Sequence, residues 1–107
     1  MTMRSLSETL QQIENFSSRD GDWRPLDLLL EEVWASSDLP PEVLPVVFGI
    51  FERFPEDDGA GVLWSIVHGV EALSLDYVPA LQQSHRRRPS LMSDIMLSRA
   101  VNAQRQG

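Results

Sequence analysis

The chain has 107 residues, enough for one domain and too few for two ordinary ones. It has no cysteine, which excludes disulfides, thiolate zinc sites and cysteine nucleophiles, and no stretch approaches the ~18 consecutive apolar residues of a membrane span. Sixteen acids face nine arginines and no lysine, a net charge of −7, which argues against a nucleic-acid partner because phosphate contacts need a basic surface.

No run of four to eight residues alternates in strand fashion, so the pattern is helical throughout. Six helices are expected. The first covers residues 7–16, with Leu6, Leu10, Ile13 and Phe16 inward, Ser5 or Ser7 as its cap and Glu8 in its first turn. Pro25 opens the second, whose Leu26, Leu29, Leu30, Val33 and Trp34 share one face. Asp27 and Glu31 lie on another side of it at i, i+4, where like charges repel mildly. The third, residues 41–54, is apolar nearly all round, as a central helix should be. Phe54-Pro55 ends it, and an acidic loop follows at Glu56, Asp57 and Asp58.

Residues 57–73 read as one helix with three faces. Val62, Leu63, Ile66, Val67, Val70 and Leu73 form the apolar face, with Ser65, Gly69 and Ala72 as a small-residue strip beside it. Trp64, His68 and Glu71 share the remaining side, where a surface helix ordinarily carries solvated charge. A fifth helix is expected over residues 76–87, with Ser74 before it as a cap and Tyr77, Val78 and Leu81 inward. Arg86, Arg87 and Arg88 close it, placed to offset its dipole or to pair with acids of a neighbouring helix. The sixth turns Leu91, Met92, Ile95, Met96, Ala100 and Val101 inward, and a polar tail from about residue 103 is expected to fray.

An offset of 34 residues lays Leu28, Leu29 and Val33 over Val62, Leu63 and Val67, and Glu42 to Val47 over Asp76 to Leu81. Repeated hairpins of this kind build an α-solenoid. The expected fold is therefore all-α: about six helices in stacked antiparallel hairpins, as a HEAT-like solenoid or a compact bundle.

Chemistry finds little to work with. His68 and Glu71 form an H-x-x-E pair, but only two histidines exist, and His85 lies on another helix beside three arginines. No H-E-x-x-H, nucleophile elbow or phosphate-cradling loop is present, so no catalytic residue, metal or cofactor is expected. Charge is more informative. Residues 1–85 hold fifteen acids and four arginines, a balance of −11, while residues 86–107 hold one acid and five arginines, +4. An acidic body suits solubility or docking onto a basic protein. The first residues lack the apolar run of a signal peptide, so a cytoplasmic location is expected.

The string D-D-G-A-G-V-L-W-S-I-V-H-G-V-E-A-L, followed by D-Y-V-P-A-L-Q-Q-S-H-R-R-R-P-S and a short final helix, resembles small α-helical immunity proteins of bacterial polymorphic toxin systems, contact-dependent or type VI-like. The resemblance covers residues 55–103. It is strongest at Gly61, Trp64, Ser65, Val67, His68 and Glu71, with the R-R-R-P run at 86–89. It implies a non-catalytic protein that binds one cognate toxin domain and covers its active surface. An acidic body fits a basic, nuclease-like toxin, and neither nucleic acid nor membrane is an expected partner. The residues expected to meet the toxin are Glu56, Asp57, Asp58, Trp64, His68, Glu71, Asp27 and Glu31. Trp64 and His68 also read as scaffold, since a motif shared among proteins that meet different toxins serves packing. A helical adaptor within a larger assembly is the alternative.

Overall fold

Ser5 starts the first helix by capping it. Its Oγ accepts the Glu8 amide at 3.2 Å, leaving Leu6–Glu14 (α1) to wind behind it. The computed structural model describes residues 5–17, 21–36, 39–73 and 75–106, with side chains through 103. Five further α-helices follow: α2 (Arg24–Trp34), α3 (Val43–Arg53), α4 (Leu63–Glu71), α5 (Val78–Arg87) and α6 (Leu91–Gln106). A 3₁₀ turn, Gly59–Gly61, leads into α4. No strand occurs among the described residues. The described residues are thus all-α, in six α-helices, none of them long and apolar enough to cross a membrane. Ser74, expected as a cap, lies outside the described residues.

The helices form two rows. In one, α1 packs on α3 and α3 on α5; in the other, α4 lies between α2 and α6. The rows are joined closely where α1 meets α2 and where α5 meets α6. The hairpins implied by the 34-residue offset, α2 with α3 and α4 with α5, are not among the closely packed pairs. A radius of gyration of 13.6 Å matches the ~13 Å of a compact domain of this length.

Between the rows lies one apolar core. Ile13, Leu30, Phe48, Phe51, Ile66 and Met96 are fully buried in it. At one edge Phe16, Trp23 and Phe54 meet ring to ring, the Trp23–Phe54 centroids 4.9 Å apart and tilted 73°. Arginines tie the outer ends. Arg53 donates to the Ile13 carbonyl at 2.7 Å, satisfying an acceptor near the end of α1. Arg87 grips Glu52 with two bonds of 3.1 Å, joining α5 to α3 as the neighbouring-acid expectation anticipates.

Three expectations need correction. The helix expected from residue 57 starts only at Leu63, because Gly59, Ala60 and Gly61 all have positive φ, at 60°, 53° and 91°. A right-handed helix cannot pass through such residues. Leu91 and Val101, expected inward on α6, are both 48% exposed. Met92, Met96 and Ala100, expected inward with them, are buried, at the i, i+4, i+8 spacing of one helical face.

Candidate functional site

The small-residue strip of α4 exists to admit α2. A Cβ built on Gly69 would stand 2.3 Å from Cε2 of Trp34, so the indole lies directly against the glycine backbone. Four residues earlier, Ser65 donates to Asp27 Oδ1 at 3.5 Å. Asp27 opposite Ser65 and Trp34 opposite Gly69 show that α2 and α4 run side by side in the same direction. Trp34 Nε1 is buried there with no hydrogen-bond partner among the described residues, a cost that close ring packing has to offset.

The expected trio on α4 divides. Glu71 is half-buried and accepts two bonds of 2.8 Å from Arg99, a bidentate clamp between α4 and α6. These bonds hold its carboxyl below the usual range; burial pushes the other way, and the charges of Arg99 and His68 add to the lowering. Trp64 is half-buried and stacks on exposed His68, with centroids 5.9 Å apart and planes 29° from parallel. On α2, Asp27 is half-buried and Glu31 exposed, with Leu28 beside them 61% exposed.

The acidic loop has a structural task as well as a charge. Asp57 Oδ1 accepts the Gly59 amide at 2.9 Å, and Asp58 Oδ1 accepts that of Ala60 at 3.1 Å. The Asp58 carbonyl takes the amides of Gly61 and Leu63, and the Gly59 carbonyl that of Val62. Every amide from 59 to 63 is therefore engaged, so this glycine-rich turn offers no nest for an anion. Glu56, Asp57 and Asp58 are all exposed, and no cation pairs with them among the described residues.

Beside the loop lies a cleft of about 590 Å³, lined by Pro55, Glu56, His85, Leu91 and Asp94 among others. Pro55 also borders an adjoining recess of about 430 Å³, shared with Asp57 and Arg88. The Leu91 amide donates to the Pro55 carbonyl at 2.7 Å and ties the cleft's two walls. Behind them, Ser90 and Ser93 cap α6 reciprocally: Ser93 N–H donates to Ser90 Oγ at 3.0 Å and Ser90 N–H to Ser93 Oγ at 3.2 Å. His85 Nδ1 stands 2.7 Å from Ser93 Oγ. That is nucleophile-to-base distance, but Ser93 is fully buried and its hydroxyl serves the cap. The S-x-x-S spacing after Pro89 was the sequence signal for this box; the partnership with His85 had none, because it joins two helices.

Among the described residues, no three His, Asp or Glu side chains gather closely enough to hold a metal ion. The geometry offers exposed groups: carboxylates with no cation partner among the described residues, a stacked indole and imidazole, and leucines left in solvent. No protein-family model, curated protein or solved structure matches this chain.

Proposed function

We propose that this chain is an immunity protein, a non-catalytic helical domain that binds a basic bacterial toxin domain in the cytoplasm and neutralises it by covering its active surface. The observation that carries this reading is the set of exposed carboxylates with no cation partner among the described residues, Glu56, Asp57 and Asp58 in the loop and Glu31 on α2. Acids that stabilise a fold tend to find partners, as Glu52 and Glu71 do. Those left open on a surface of one sign steer an oppositely charged protein and set its register. Half-buried Trp64, stacked on His68, supplies a rigid aromatic edge of the kind that anchors interfaces. We read the two helix rows as a short HEAT-like stack, which presents its helix faces and loops as one extended binding surface.

Co-expression tests it. Producing this chain with the protein encoded by the neighbouring gene should restore growth that the neighbour alone abolishes; a toxic neighbour without rescue overturns the reading. Asp57→Asn with Asp58→Asn then probes the charge. Asparagine keeps the Oδ1 acceptors that hold Gly59 and Ala60, so the turn survives while two charges go. Association should slow at low salt and converge on the unsubstituted rate as salt rises. Equal rates at low salt would place the contact elsewhere.

A further inference from the structure

We infer that the cleft between the acidic loop and the start of α6 seats an arginine or lysine of the partner together with an apolar neighbour. The occupant's identity as part of a toxin rests on the proposed function; the cleft's preference does not. Four observations converge here. Leu91 opens α6 with 48% of its surface in solvent, beside Pro55 and Pro89, so the floor is apolar. Glu56 and Asp94 line the same cleft, both exposed and neither paired with a cation among the described residues. Asp57 borders the adjoining recess with Arg88, so among the described lining residues the three acids Glu56, Asp57 and Asp94 outnumber the arginine.

The walls are also fixed in advance. Leu91 N–H to Pro55 carbonyl joins them at 2.7 Å, and the Ser90–Ser93 box with His85 pins α6 from behind. A preformed cleft loses little freedom on binding, which is the main cost of a weak polar contact. Its volume of about 590 Å³ is small for a groove that takes a helix and suits one or two side chains. Charge selects the occupant. The α6 N-terminus would by itself favour an anion, but its Leu91 and Ser93 amides are already engaged. The charged side chains that line the cleft, with His85 beside them, are the carboxylates of Glu56 and Asp94, and they choose a cation. An arginine laid along Leu91 would bury its methylene stem on the apolar floor and carry its head to Glu56 and Asp94.

The test uses the full chain and a defined probe, a blocked peptide of alternating leucine and arginine, followed by NMR. Amide shifts should concentrate at Glu56, His85, Leu91 and Asp94, and a peptide with glutamate for arginine should produce none. Glu56→Gln with Asp94→Asn should weaken binding about tenfold, and adding Leu91→Ser should weaken it further. All three positions are exposed, so unchanged melting curves should show that the variants remain folded. Shifts centred on Asp27, Glu31 and His68, shifts spread evenly over all acids, or equal binding by the variants would each overturn the assignment. In the rescue assay the triple variant should fail where the unsubstituted chain succeeds. A triple variant that still rescues removes the cleft and leaves the immunity reading standing. An unsubstituted chain that cannot rescue removes that reading, and the peptide titration still decides the cleft.

Discussion

Gly69 sits mid-helix, where glycine is ordinarily a defect. Replacing it by alanine in a solvent-facing helix stabilises by roughly 1 kcal/mol. Here the new Cβ would lie 2.3, 2.4 and 2.7 Å from three atoms of the Trp34 indole. A rigid ring cannot swing aside as a flexible tip does, and overpacking of this kind costs about 1–3 kcal/mol. Steric conflict should win over helix propensity. Gly69→Ala is expected to lower stability by up to about 2 kcal/mol in urea unfolding. Stabilisation by alanine would mean that Trp34 does not rest on α4 in solution. The strip of Ser65, Gly69 and Ala72 was legible in sequence as a face of small residues. Its occupant was not, because helical periodicity says which side of a helix is small and nothing about which distant side chain fills it. The same limit hid the Arg99 clamp on Glu71 and the His85–Ser93 contact.

At the scale of elements, α4 and its approach carry most of the candidate site. Apolar periodicity overran the true start of α4 because it records which side chains face inward, whereas the start depends on backbone sign. Gly59 takes positive φ without penalty, and a Cβ there would press on Leu63 and Trp23 at 3.0 Å. Ala60 holds φ +53° with a side chain attached. Left-handed backbone costs an L-residue roughly 1–2 kcal/mol, and glycine's extra unfolded freedom costs about 0.4–1 in return. The balance favours Ala60→Gly by roughly 0.5–1 kcal/mol, readable as a higher urea midpoint with unchanged slope. An unchanged or lower midpoint would show that Ala60 lacks this strained conformation. The residue is exposed and reaches nothing its methyl must fill, so the substitution tests the turn alone. Leu91 shows the converse. Its place in the apolar pattern of α6 pointed inward, and the tie from its amide to Pro55 fixes it at the rim.

Across the whole molecule two electrostatic effects oppose each other as pH falls. Mutual repulsion in a chain of net charge −7 weakens towards its isoelectric point near 4.6, which favours the fold. Against this stand the paired carboxyls. Burial raises Glu52, but hydrogen bonds from Arg87 and Ser84 and the charges of Arg87 and Arg53 outweigh it, and its carboxyl lies below the usual range. Glu71 is lowered chiefly by Arg99. A carboxyl lowered by folding contributes stability that is fully present above its unfolded value, ~4.3, and is lost as pH drops through the folded value. Stability should therefore hold or rise from pH 7 to about 5, where repulsion is relieved, and fall below that as the clamps protonate. Arg99 is 45% exposed, so its pair with Glu71 is worth at most about 1 kcal/mol. Glu71→Gln should lower stability by that amount or less at pH 7, flatten the fall below pH 5 and meet the unsubstituted curve once the Glu71 carboxyl is protonated in the folded state. Urea midpoints measured across this range decide it. Curves that stay parallel down to pH 3 would mean that Glu71 is free of Arg99. The carboxylate would then be open to a partner, as the sequence alone had placed it.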